Sequence, residues 1–149
     1  MNTSTPDILV VGGAGYIGSH VVKALRDASR QPVVFDNLST GLRENLFPEI
    51  PFIHGDLLIP EQICTTMRGI RSVIHLAALK AAGDSMLEPE RYALHNLNGT
   101  VNLLHAAGTA GVRHFVFSSS AAVYGEPQYL PLDENHPTEP ANFYGQTKL

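Results

Sequence analysis

The chain of 149 residues has no tryptophan, one cysteine and few charges. The lone Cys64 cannot form an internal disulfide, which suits a reducing compartment and points to a cytoplasmic protein. No apolar run approaches the ~20 residues that cross a bilayer. The N-terminal stretch Met1–Asp7 is polar, without the apolar segment of a secretion signal, so no membrane partner is expected. Positive charge is not in excess either. Ten Lys and Arg stand against 14 Asp and Glu, a net charge of −4, which leaves no basic footprint for nucleic acid. Of the seven histidines, no pair has metal-ligand spacing beside a cysteine or carboxylate, so no metal site is expected. His75 lies in an apolar stretch and reads as a core residue. A G-x-S-x-G elbow, the mark of many hydrolases, is also missing.

What is present is ordinary globular composition, with 44% hydrophobic residues, arranged as short apolar runs alternating with helical patterns. Asp7–Val11, Pro32–Asp36, Pro51–Asp56, Ser72–Ala78 and His114–Ser120 read as five buried strands. Between them, Tyr16–Ser29 places Ile17, Val21, Val22 and Leu25 on one helical face. Pro60 opens a short helix with Ile63 and Met67 inward. A longer helix is expected over Pro89–Ala107, with Leu97, Val101 and Leu104 on one side and Gly108 and Gly111 closing it. Near-continuous apolar strands separated by helices imply an α/β protein, a doubly wound parallel sheet covered on both faces. Gly125–Ala141 carries four prolines and no helical period, and a loop of that length is usually functional or disordered.

The turn after the first strand, "VVGGAGYIGSH", contains Gly13-x-Gly15-x-x-Gly18 and a second spacing through Gly12 and Gly15. A chain that must turn tightly, admit a pyrophosphate to its backbone and pack helix on strand needs residues without a Cβ. The helix N-terminus then offers N–H groups and a positive dipole end to phosphate. Asp36 ends the second strand, 18 residues past Gly18. A carboxylate there can accept both ribose hydroxyls of an adenosine and repels a 2′-phosphate, which favours NAD over NADP. Asp56, after the third strand, is placed either for the adenine edge or as a turn-former. Lys80 follows the fourth strand, where it can face the cofactor or simply solvent.

The fifth strand ends in Ser118, Ser119 and Ser120, and far along the chain Tyr144 and Lys148 stand four apart, one helical turn. A phenol with a pKa near ~10 is a poor base at neutral pH. A nearby ammonium favours the phenolate, so Tyr144 can take a proton from a substrate alcohol while Ser120 hydrogen-bonds the same oxygen. Tyr-x-x-x-Lys alone is a weak signal. Its strength here comes from the glycine turn, Asp36 and the strand-end serine that accompany it.

Together these segments, with "FDNLSTG", "VIHLAALKAAGDSMLEPERY", "NLNGTVNLL", "FSSSAAVYGEP" and "PTEPANFYGQTKL", resemble the extended short-chain dehydrogenase/reductase superfamily, and within it the UDP-glucose 4-epimerase family. The resemblance runs along almost the whole chain, and "ALKAAGDS" is its most discriminating segment. It implies an NAD-binding Rossmann fold with Gly12, Gly15, Tyr16, Ile17 and Gly18 at the pyrophosphate. Asp36 is implied at the ribose, Asp56 and Leu57 at the adenine, and Lys80 on the nicotinamide side. Asn37, Ala77 and Asn96 join the cofactor contacts, and Tyr144 and Lys148 belong to both the cofactor and the catalytic sets, the latter completed by Ser120. The implied reaction inverts C4 of a UDP-hexose, interconverting UDP-galactose and UDP-glucose. Two positions depart from the family pattern: Val11 stands where a threonine usually precedes the glycines, and His95 where an asparagine is usual.

Family members are also considerably longer. The expectation is therefore an N-terminal part, residues 1–149, of an epimerase that lacks the UDP-sugar-binding portion and is inactive alone, with a sheet open at its last edge. The full-length protein is expected to be a homodimer joined partly through the Pro89–Ala107 helix. Another nucleotide-sugar epimerase, a dehydratase or a decarboxylase of the same superfamily is the alternative enzyme, and an NAD-binding module without activity the non-enzymatic one.

Overall fold

The computed structural model describes residues 6–149, so most of the polar N-terminal stretch lies outside the described residues. Five strands, β1 (Ile8–Val11), β2 (Pro32–Asp36), β3 (Phe52–His54), β4 (Ser72–His75) and β5 (His114–Phe117), form one parallel sheet in the order β3-β2-β1-β4-β5. The chain winds outward from β1 to β3, then returns to β4 on the other side. The carboxyl ends of β1 and β4 therefore flank a switch point, where a crevice opens above the sheet.

The unbroken apolar runs are explained by two-sided burial. Alternate residues of one strand point to opposite faces. Leu9 and Val11 of β1 join Val33, Phe35 and Val73 against Ile63, Met67, Leu103 and Ala106. Ile8 and Val10 join Val34 and Val22 on the other face. The first face is covered by helices α2 (Pro60–Thr66) and, later in the chain, α5 (Gly99–Ala110); the second is covered by α1 (Tyr16–Asp27). Ile63 and Met67 point inward as expected. Ile17 does not: Val21, Val22 and Leu25 pack on the sheet, while Ile17 is 63% exposed at the mouth of the crevice.

The long helix differs most from expectation. A separate helix α3 (Ala82–Leu87), not read from the sequence, precedes it. The helix itself begins as α4 (Pro89–Tyr92), passes through a π-helical stretch over Ala93–Asn98 and continues as α5 beyond Gly108. Gly111, at φ 72°, ends it in the left-handed conformation that suits glycine. Asn96, Gly99, Leu103, Ala106 and Ala107 are buried, and Leu97, Val101 and Leu104 share one side as their period implies, the exposed one. β5 lies at the sheet edge, with Val116 56% exposed.

The proline-rich segment has no helix or strand but is internally tied. Buried His136 donates from Nδ1 to the Pro137 carbonyl at 2.8 Å and accepts the Gln128 N–H on Nε2 at 2.9 Å. At the base of the loop Gly125, φ 65°, lies so close to Glu139 that a Cβ would overlap its carbonyl oxygen. The two ends of the segment thus meet. That return brings the last helix, α6 (Phe143–Lys148), back to the end of β5.

Candidate active site

Every expected strand-end residue lies at the carboxyl edge of the sheet: Gly12 after β1, Asp36 on β2, Asp56 beyond β3, Ala77 and Lys80 beyond β4, Ser118 to Ser120 beyond β5. Two of the glycines are required by close approach. Gly12 has φ 83°, and a Cβ on it would meet the Ala77 backbone nitrogen at 2.6 Å; one on Gly18 would meet the Gly12 carbonyl at 2.1 Å. These contacts hold the β1–α1 turn against the β4 end. No side chain caps the first turn of α1 and no acidic residue stands in it, while Tyr16 and Ile17 beside it are exposed. An uncapped helix start with its first N–H groups facing an open crevice fits a pyrophosphate.

Asp36 has a structural task as well. Its Oδ2 accepts the Ala14 N–H at 3.0 Å and its Oδ1 the Leu38 N–H at 2.8 Å, so the carboxylate staples the glycine turn to the end of β2. Each oxygen keeps a second lone pair for a ribose hydroxyl. Asn37 donates to Asp56 Oδ2 at 2.9 Å, joining the β2 and β3 ends. Partial burial pushes the Asp56 carboxyl up, but the Asn37 amide, the Leu58 N–H and nearby His95 together outweigh it and hold the group below its ordinary value. Leu57 gives its carbonyl to Asn102 on α5. Lys80 is exposed on the loop that leads from β4 to α3.

Tyr144 and Lys148 sit on α6, whose start is capped by Asn142, Oδ1 accepting the Gly145 N–H at 2.8 Å. Gly145 packs its bare backbone on the Ala122 carbonyl, only 2.5 Å from where a Cβ would be. This contact docks the first turn of α6 on the Ser120–Val123 turn, which Ser120 itself opens by accepting the Ala122 N–H. Lys148 is buried, with Nζ donating to the Ser118 carbonyl at 3.0 Å and lying 4.7 Å from the centre of the Phe117 ring. Burial pulls its pKa down to about 8. Two segments far apart in sequence, α6 with Tyr144 and Lys148 and the Ser120 turn beyond β5, are thus brought together, and a tyrosine, a lysine and a serine are residue types that can exchange a proton with an alcohol.

His75 is 1% exposed, as its apolar setting suggests. The Thr100 hydroxyl donates to the Asn96 carbonyl at 2.5 Å, so it accepts from His75 Nε2–H at 2.9 Å, and Nδ1 is left buried without a partner. Burial first, and the Lys148 ammonium second, push the His75 pKa down to about 4. With a folded-state value below the unfolded one, the unfolded chain takes the proton first as pH falls. His75 therefore costs nothing above about 6.5 and removes stability progressively between 6.5 and 4, in total about 3 kcal/mol. Acid melts of wild type and His75→Gln should diverge across that window, the wild type losing more; parallel curves would remove His75 as the titrating group.

The model of the NAD dependent epimerase/dehydratase family matches residues 8–149. The chain belongs to that family. A UDP-glucose 4-epimerase of Streptomyces lividans is 45% identical over 144 residues, covering 95% of this chain and 44% of the relative. That of Mus musculus is 44% identical, with 95% and 46% covered. Among solved structures, the UDP-glucose 4-epimerase of Brucella ovis in complex with NAD has a TM-score of 0.93 at 41% identity, covering 97% of this chain and 45% of that one. That of Bifidobacterium longum in complex with NAD+ and UDP has a TM-score of 0.90 at 32% identity, with 95% and 45% covered. The chain thus spans less than half the length of the relatives it matches.

Within this family fold, Asn96 has a structural task as well. It is 3% exposed; its Oδ1 accepts the Leu79 N–H and its Nδ2 donates to the Leu79 carbonyl and to Thr147 Oγ1. Both side-chain N–H donors are taken, so it ties the β4 loop to α6. Ser85, Asn142 and Thr147 were not singled out by sequence. Only Asn142 gave a signal, an N-cap residue before a short helix. The others act through contacts between segments that no spacing rule reveals.

Proposed function

We propose that this chain supplies the NAD-binding and catalytic part of a UDP-hexose 4-epimerase that interconverts UDP-galactose and UDP-glucose in galactose metabolism. The observation that carries the reading is the packing of α6, the helix of Tyr144, on the Ser120–Val123 turn through Gly145 and Ala122, with Lys148 buried against Ser118 and Phe117. NAD, when bound, supplies a reversible hydride acceptor. Tyr144 takes the proton of the sugar 4′-hydroxyl and later returns it, and Ser120 hydrogen-bonds that oxygen. Lys148 favours the phenolate while it keeps its own proton. Gly12, Gly15, Tyr16, Ile17 and Gly18 cradle the pyrophosphate, Asp36 the ribose, and Asn37, Asp56 and Leu57 border the adenine, with Ala77 and Lys80 along the switch-point side. The names of the relatives support the substrate, and their greater length supports a UDP-sugar pocket built outside residues 1–149.

The same reading makes the intact protein a homodimer. Leu94, Leu97, Val101 and Leu104 form an exposed apolar row on the π-helical stretch and α5, a surface suited to a second copy. A cytoplasmic location belongs to the same reading and suits exposed, unpaired Cys64. Among the described residues, no helix is long and apolar enough to cross a membrane.

The test uses the product of the complete reading frame that contains these residues. Incubation with UDP-galactose should yield UDP-glucose, and denaturation should release NAD. A 4-keto-6-deoxy sugar as product, or release of CO2 with a UDP-pentose when a UDP-hexuronic acid is offered instead, would replace the reading with a dehydratase or a decarboxylase. Interconversion by residues 1–149 alone would overturn the placement of the sugar pocket elsewhere.

A further inference from the structure

Helix α6 carries both Tyr144 and Lys148 in only six residues. A helix this short does not hold itself in water, and the first N–H groups of any helix have no partner within it. Their partners are therefore what fix the phenol. Gly145 N–H goes to Asn142, which belongs to the same segment. The other two cross to α3: Phe143 N–H to Met86 Sδ at 3.3 Å, and Tyr144 N–H to Ser85 Oγ at 2.9 Å. At the far end, Ser119 Oγ donates to the Lys148 carbonyl at 2.8 Å.

Ser85 stands out among these. It is fully buried, and its hydroxyl hydrogen is already committed to the Ala82 carbonyl at 2.5 Å. The oxygen can then act toward Tyr144 only as an acceptor, with a fixed lone-pair direction. Ser85 also sits at the end of the run that carries Lys80, and that run is anchored by Tyr92, whose hydroxyl donates to the Ala81 carbonyl at 2.8 Å.

We propose that Ser85 is a positioning residue for Tyr144: its hydroxyl holds the N-terminal end of the catalytic helix, and through it couples the Lys80 segment to the phenol. The inference rests on the epimerase reading for its kinetic consequence, but not for its structural one. Without the hydroxyl, the buried Tyr144 N–H loses its acceptor and the first turn of α6 loosens. Lys148 stays held by Ser118 and Ser119. Tyr144 then moves relative to its lysine, while the glycine turn and its cofactor contacts are untouched.

The experiment compares wild type and Ser85→Ala in the intact protein. Where Ser85→Ala does not fold, Ser85→Cys replaces it, a near-isosteric change to a weak acceptor. Two quantities are read. The first is hydrogen–deuterium exchange of the peptide covering 142–149, expected to speed up at the Tyr144 amide in the variant. The second is kinetic: kcat should fall about 100-fold, with bound NAD and the UDP-hexose KM within about twofold. A merely structural serine would lower stability without splitting kcat from KM in this way. Unchanged kcat, or a change confined to KM, would overturn the proposal. If wild type shows no epimerisation, the functional reading fails by itself, and the exchange rate alone decides: an unchanged Tyr144 amide overturns the role of Ser85, and a faster one supports it.

Discussion

Tyr144→Phe in the intact protein should lower kcat by about 10²- to 10⁴-fold, the range that positioned proton transfer contributes. The substitution removes one oxygen and keeps the ring, so the half-buried side chain still packs. The backbone bond from Tyr144 N–H to Ser85 is also retained. Bound NAD and overall stability should therefore stay near wild type, which separates loss of chemistry from loss of fold. Initial rates of UDP-galactose conversion at saturating substrate provide the measurement. A variant keeping more than about a tenth of wild-type kcat would be below the lower end of that range and would assign the proton transfer to another group.

Gly18→Ala should produce the largest effect on cofactor binding and stability together. A Cβ there would stand 2.1 Å from the Gly12 carbonyl oxygen and 2.7 Å from the Gly13 Cα. Both are backbone atoms in the turn itself, so neither can rotate away as a side chain would. Overpacking of this kind costs about 1–3 kcal/mol, and relief would come by lifting α1 off the turn that Asp36 staples through Ala14. The expected result is a lower Tm and the loss of the rise in Tm that added NAD gives wild type. Gly83→Ala is the matched control, because a Cβ there meets nothing within 4 Å. Equal responses of the two variants to NAD would show that the glycine turn does not bind it.

Sequence by itself determined the parts that rest on local rules. Apolar runs such as "ILVV" and "PVVFD" could only be strands buried on both faces, because a one-sided strand would alternate with polar residues. The glycine spacing and Asp36 were legible for the same reason: the turn needs residues without a Cβ at set intervals, so its chemistry is written in adjacent positions. Pro60 and the inward Ile63 and Met67 followed from helical period alone.

Tertiary structure decided the rest. The period of "LNGTVNLL" puts Leu97, Val101 and Leu104 on one side but does not say which side faces the core; the packing of Leu103, Ala106 and Ala107 into the core cluster leaves that row outward. The bonds of Asn96 to Leu79 and Thr147, which tie the β4 loop to α6, join segments that no spacing rule connects. Helix α3 was hidden because its six residues lack a capping side chain and a clear apolar period, and its order comes from packing on α6. The docking of α6 on the Ser120–Val123 turn depends on Gly125 touching Glu139 and on Gly145 touching Ala122, contacts across a proline-rich segment with no period to follow. Spacing along a chain encodes neighbours within a helix or turn; neighbours between segments exist only once the chain has folded.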